Sequence, residues 1–95
     1  MAVLSNEEVD RRLRDLPGWR RDGEAIVRQF TFDGFPEAVA FVGRLVPGAE
    51  AADHHPDLTI NYRRVNVSYS THSEKGITEK DFAGAKNAEQ AATEQ

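Results

Sequence analysis

Apolar and polar positions along the chain follow two rhythms. Phe35, Ala38, Val39, Phe41, Val42, Leu45 and Val46 recur at three- and four-residue spacing, the period of an amphipathic helix. Pro36 falls in the first turn of that helix, where its missing N–H would have had no partner. Pro47-Gly48 suggests its end, with a continuation towards Ala52 as the alternative. Leu58, Ile60 and Tyr62 then alternate with Thr59 and Asn61, and Val65, Val67 and Tyr69 with Asn66, Ser68 and Ser70. A two-residue period of this kind predicts two strands, each with one apolar face and one polar face.

The flanking segments extend the pattern. Ser5-Asn6-Glu7-Glu8 reads as a capping box opening a short helix to about Leu13, stopped by Leu16-Pro17-Gly18. Trp19 to about Asp22 and Ala25 to Phe32 read as strands joined at Asp22-Gly23, a hairpin signal. Ile26, Arg28, Phe30 and Phe32 share one face of the second strand, with Arg28 breaking its apolar character. Trp19 and Tyr62 are expected in the core. Ser73 to Gly76 reads as a loop, and Thr78-Glu79-Lys80-Asp81 as a second capping box. Phe82, Ala85, Ala88, Ala91 and Ala92 carry the last helix, expected to fray from Gln90 onward. The order α-β-β-α-β-β-α predicts an α+β fold, a four-stranded antiparallel sheet with helices packed on one face.

Length and charge narrow the partners. The 95 residues are expected to form a single domain, 1–95, with its core within about 5–90. Such a chain buries only about 60–65% of the surface its unfolded form exposes, so oligomerisation is a plausible source of further burial. The formal charge of −4, with basic residues adjacent only in the pairs Arg11-Arg12, Arg20-Arg21 and Arg63-Arg64, argues against nucleic acid. No apolar run approaches the ~20 residues a membrane helix needs. Met1-Ala2-Val3-Leu4 leads at once into a charged stretch, so no signal peptide is expected and a cytoplasmic location is. Without cysteine there is neither a disulfide framework nor thiol chemistry.

The three histidines are His54, His55 and His72. His72 continues the period of Asn66, Ser68 and Ser70, which puts it on the polar face at the end of its strand. His54 and His55 lie just before the preceding strand. In an antiparallel pair the start of one strand lies beside the end of the other, so the three would meet at one edge. Glu50 and Asp53 are close enough in sequence to join them. Imidazole exchanges protons near neutral pH, and a carboxylate can fix its tautomer. No nucleophile motif and no glycine-rich phosphate loop is present, so proton transfer is the natural chemistry. A blander reading makes the histidine pair and Glu50 solvated surface groups and Asp81 a helix cap. Zinc is the sharper rival, but the spacing is poor. Pro56 pushes His55 into extended backbone, and adjacent side chains there point to opposite sides. His54 and His55 should therefore not share one ion, nor one role.

Glu50, His54-His55-Pro56, Tyr62, His72 and Asp81, at their spacing, resemble the signature of the pterin-4a-carbinolamine dehydratase family. Leu16-Pro17-Gly18-Trp19, Phe30-Thr31-Phe32, the Phe35–Val46 helix and Gly76-Ile77-Thr78 extend the resemblance over about residues 5–90. The resemblance implies the same α+β fold and a lyase needing neither metal nor organic cofactor. Its reaction would dehydrate a 4a-hydroxytetrahydropterin, left by an aromatic amino acid hydroxylase, to the quinonoid dihydropterin. It further implies His54 and His72 as the acid/base pair and His55 as a substrate-holding residue. Glu50 and Asp53 would orient imidazoles or bind pterin N–H groups, and Pro56 would shape the pocket wall. Trp19 and Asp81 stay outside that set. Family members form dimers or tetramers, so a homodimer or homotetramer is implied. A non-catalytic protein-binding or dimerisation module is the alternative, disfavoured by the retention of all three histidines.

Overall fold

The computed structural model describes residues 3–94; the expectations for Met1, Ala2 and Gln95 fall outside the described residues. Its elements are α1 (Asn6–Leu13), β1 (Arg20–Asp22), β2 (Ala25–Thr31), α2 (Phe35–Ala52), β3 (Asp57–Asn61), β4 (Arg64–Tyr69) and α3 (Glu79–Thr93), with a 3-10 turn at His72–Glu74 before α3. The four strands form one sheet in the order β1-β2-β4-β3, every neighbour antiparallel. The expected α+β architecture is the observed one.

The core lies between one sheet face and the helices. Ile26 and Phe30 of β2 and Val65, Val67 and Tyr69 of β4 are buried against Phe41 and Leu45 of α2 and Phe82, Ala85 and Ala88 of α3. Phe30, Phe32 and Phe41 gather with ring centroids 4.9–6.4 Å apart. Alanines along α3 let that helix lie close to the sheet. At Gly84 the approach is so tight that an added Cβ would sit 2.4 Å from the Tyr69 ring. Arg28 shares this inner face without being an error of pattern. Its guanidinium lies over the Phe30 ring and pairs with Glu89 of α3, which also accepts the Trp19 indole N–H at 2.8 Å. Trp19 is buried, as expected.

Several expectations need correction. Helix α2 does not stop at Pro47 but takes the longer of the two expected bounds and runs to Ala52. Proline removes one hydrogen bond, to the Gly43 carbonyl, and both residues are exposed, so water can serve the freed oxygen. Leu45 and Ala49, buried on either side, hold the helix together across the interruption. Helix α3 does not fray at Gln90; it continues to Thr93 because Ala91 is buried against the core. Tyr62 is neither strand nor core. It occupies the tight turn between β3 and β4 with φ 56° and is 63% exposed. Leu58 and Ile60 pair with Val67 and Val65 on the inner face, yet β3 is an edge strand, and both remain partly exposed.

Candidate functional site

The end of α2 sets the geometry of the histidine pair. Asp53 takes the left-handed conformation (φ 49°, ψ 46°), its N–H donating to the Glu50 carbonyl, while the His54 N–H donates to the Ala49 carbonyl at 3.1 Å. This is the Schellman closure, with aspartate where glycine is usual. Aspartate tolerates that region better than most residues, since its short polar side chain can bond locally. The closure reverses the chain and delivers His54 inward. Pro56 then leads the backbone into β3, whose Asp57 pairs with Ser68 near the end of β4. The start of β3 and the end of β4 are thus neighbours, the arrangement that brings the two histidine segments to one edge.

The two adjacent rings find separate partners. His54 is 11% exposed, and its Nε2 lies 2.6 Å from Oδ1 of Asp81, a fully buried carboxylate in the first turn of α3. Its ring also stacks near Tyr69, with centroids 6.1 Å apart. His55 points outward, its Nε2 2.6 Å from the exposed Glu50 carboxylate. Extended backbone before Pro56 accounts for the divergence.

His72 departs from expectation in how it is carried. Strand β4 ends at Tyr69, and His72 opens the 3-10 turn, so the strand period does not extend to it. The turn is closed by a bridge between Thr71 and Gly76. The ring is 79% exposed and sits 3.9 Å from the Asp57 carboxylate. Asp57 shares the polar sheet face with its partner Ser68, so His72 still reaches that side.

Asp81 is the residue that sequence reasoning underrated. It does cap α3: the Thr78 N–H donates to its Oδ2 at 2.9 Å. The same oxygen accepts the Thr71 hydroxyl at 2.9 Å, and the other faces His54. One carboxylate thus joins the helix cap, the base of the His72 turn and a histidine ring. Its place in the spaced signature was the available signal; the capping pattern alone concealed it. Asp53 makes no side-chain hydrogen bond among the described residues, and its visible role is the turn. Glu50, His55 and Pro56 line one groove of about 160 Å³ together with Val42, Leu45 and Leu58. His54 lines a different cleft between α2 and α3, with Gly48, Tyr69, Lys80, Gly84 and Asn87. His72 lines neither. Among the described residues, no three His, Asp or Glu side chains converge as a cage for a metal ion. No helix there is long and apolar enough to cross a membrane.

Comparison with known proteins matches residues 2–91 to the family model described as pterin 4 alpha carbinolamine dehydratase. A protein of Thermomicrobium roseum, named by assignment as such a dehydratase, is 45% identical over 98% of this chain and 100% of its own length. One from Mycobacteroides abscessus with the same name is 46% identical over 87% of this chain and 88% of its own. The crystal structure of a Brucella melitensis protein described as a transcriptional coactivator/pterin dehydratase superposes with a TM-score of 0.91 at 39% identity, covering 95% of this chain and 98% of that one. A pterin dehydratase-like protein described as a RuBisCO assembly factor of the alpha-carboxysome shares the fold at a TM-score of 0.65 and 18% identity, over 81% of this chain and 89% of that one.

Proposed function

Because the chain belongs to the pterin-4a-carbinolamine dehydratase family and is a hydro-lyase of that kind, we propose that it removes water from a 4a-hydroxytetrahydropterin by histidine acid/base catalysis. The product is the quinonoid dihydropterin, and the reaction returns to use the pterin oxidised by an aromatic amino acid hydroxylase. Hydroxide leaves poorly, so an acid must protonate the 4a-hydroxyl. A base must take a ring N–H proton as the new double bond forms. His54 and His72 are the acid/base pair.

The observation that carries this reading is the asymmetry of the His54 ring. A carboxylate only accepts, so the Asp81 contact makes Nε2 of His54 the protonated nitrogen. Nδ1 then holds the lone pair. Among the described residues no buried side-chain nitrogen or oxygen lacks a partner, and Nδ1 makes no hydrogen bond there, so it reaches solvent. A ring anchored at one nitrogen and open at the other is the arrangement a histidine general base requires. His72, widely exposed on a clamped turn, can approach a bound substrate with little rearrangement.

Glu50, His55 and Pro56 are the substrate-binding residues, supported by their common groove, with Asp53 at the same helix end. The protein works in the cytoplasm as a homodimer or homotetramer. Partly exposed Leu58 and Ile60 on the edge strand, and Val39 and Val46 on α2, support association between copies.

The test is a dehydration assay on chemically prepared 4a-hydroxytetrahydropterin. Wild-type protein should accelerate the reaction, and His54→Ala and His72→Ala should each lower turnover by ~10²–10⁴-fold while remaining folded. Near-normal rates in both variants would sink the assignment. Glu50→Ala should act mainly on KM.

A further inference from the structure

We propose that Thr71 is a positioning residue that sets both His54 and His72. The inference rests on the dehydratase reading for its kinetic consequence, but its geometric content stands apart from it. Thr71, Thr78 and Asp81 are buried, so water does not stand in for any of their bonds. Their protons can be assigned one by one. The Asp81 carboxylate only accepts, and Thr71 Oγ1 lies 2.9 Å from its Oδ2, so the single Thr71 hydroxyl proton goes there. Thr71 Oγ1 is also 2.7 Å from Thr78 Oγ1, and with its own proton spent it must accept from Thr78. Thr78 Oγ1 in turn accepts the Lys80 N–H at 3.2 Å. The chain of donors therefore runs one way, from Lys80 through Thr78 and Thr71 to Asp81. With Thr71 and the Thr78 N–H both on Oδ2, Oδ1 is left to His54 alone.

The backbone of Thr71 performs the second task. Its N–H donates to the Gly76 carbonyl at 3.0 Å, and its carbonyl accepts the Glu74 N–H at 3.0 Å. These bonds close the turn that presents His72, the next residue in the chain. One residue thus fixes the acceptor behind one histidine with its side chain and the base of the other's turn with its main chain. Thr71 touches no lining residue of the Glu50–His55–Pro56 groove by hydrogen bond, so its effect should fall on turnover and not on binding.

The experiment compares Thr71→Val, which keeps shape and backbone bridge but loses the hydroxyl, with Thr71→Ser, which keeps the hydroxyl. Thr71→Val should lower kcat by about 10–100-fold, the scale on which loss of a supporting hydrogen bond behind a metal-bound imidazole acts, and leave KM within about two-fold. Thr71→Ser should recover most of kcat. Imidazole ¹⁵N spectra, recorded above the histidine titration range, should show His54 as the Nε2–H tautomer in wild type and Thr71→Ser, and a tautomer mixture in Thr71→Val. A wild-type kcat in Thr71→Val, equal losses in both variants, or an unchanged tautomer in Thr71→Val overturns the proposal. Should Thr71→Val not fold, the wild-type spectrum decides, because an Nδ1–H tautomer of His54 contradicts the proton assignment. A wild type inactive on 4a-hydroxytetrahydropterin counts against the dehydratase reading alone, since the spectra still judge Thr71.

Discussion

Replacing Asp81 by asparagine tests the buried network without changing its volume. The carboxylate, fully buried, accepts from the Thr71 hydroxyl, the Thr78 N–H and His54 Nε2. Asparagine offers one accepting oxygen and one donating NH₂. If its oxygen takes the place of Oδ2, Thr71 and Thr78 remain satisfied, and the NH₂ faces His54. The ring must then accept at Nε2 and move its proton to Nδ1. If the oxygen takes the place of Oδ1, the NH₂ meets the Thr78 N–H head-on and orphans a buried backbone donor. The first arrangement is cheaper, so Asp81→Asn should invert the His54 tautomer. Three charge-assisted bonds become neutral, at about 1 kcal/mol each, for a loss of about 3 kcal/mol. A domain of this length has roughly 5–14 kcal/mol in total, so the variant still folds. Its melting temperature should fall by about 12–24 °C. Turnover should drop by about 10²–10⁴-fold, because the ring would present a proton where the base needs a lone pair. The assays are thermal or urea unfolding, imidazole ¹⁵N spectra and the dehydration rate. A stability loss under about 1 kcal/mol together with an unchanged tautomer would refute the reasoning, because neutral replacement of three buried charge-assisted bonds cannot be that mild.

Other perturbations probe the frame around the site. Gly84→Ala should destabilise by about 1–3 kcal/mol despite alanine's better helix propensity, since its Cβ would fall 2.4 Å from the Tyr69 ring. Gly43→Ala, where nothing lies within 4 Å of the new carbon, should instead stabilise by about 0.5–1 kcal/mol; equal melting temperatures for the two would contradict the packing described. Burial pushes the Tyr69 phenol up to about 12, with nearby Asp81 adding to the rise and Asn87 opposing it. A raised folded value favours the neutral phenol, so this contribution is complete below the ordinary 10.0 and is lost between there and about 12. Tyr69→Phe should flatten that alkaline limb in denaturation measured against pH, and an unaltered slope would count against burial as the cause. Hydrogen bonds from Arg11 and Arg12 lower the Glu8 carboxyl from 4.5 to about 2. Its contribution is therefore present above 4.5 and lost as pH falls through about 2. All three side chains keep contact with solvent, so NMR titration of Glu8 in high salt should show the value moving back up.

Much of the fold is legible in the sequence because local rules and tertiary demands coincide. The alternation in β4 is read directly as the buried Val65, Val67 and Tyr69 set against outward Asn66 and Ser68. The Thr78 capping box is realised in full, Thr78 exchanging bonds with Asp81, and the Ser5 one by half: Ser5 accepts the Glu8 N–H, but the Glu8 carboxylate turns to Arg11 and Arg12 and not back to the cap. The misreadings occur where tertiary contacts override local preference. Pro47 is a helix breaker by rule, but the burial of its neighbours outweighs one lost hydrogen bond. Gln90 looks like the start of a frayed end by its nearness to the last residues, but Ala91 continues the apolar face and is buried. Tyr62 has the right parity for an apolar face, yet parity cannot show that the strand ends at Asn61 and turns back at once. Arg28 looks like a fault in the β2 pattern until Glu89, sixty-one residues later, supplies its partner.

The candidate site shows the same division more sharply. The proline rule separates His54 from His55 on local grounds alone, and the two rings do take different partners. Local rules could not show which ring turns inward. That depends on Asp53 adopting a left-handed conformation, a choice made by the closure of α2 and invisible in hydropathy. Nor could they connect Asp81 to His54, because a capping aspartate explains itself without a second partner. The hydroxyl of Thr71 lies beyond any pattern: it is one more small polar residue until the bridge to Gly76 brings it under the cap of α3. A capping carboxylate has one oxygen to spare, and burial leaves that oxygen no water to bind. A histidine delivered by the reversed end of α2 meets that demand, so the helix cap and the orientation of the imidazole are two parts of one hydrogen-bond balance.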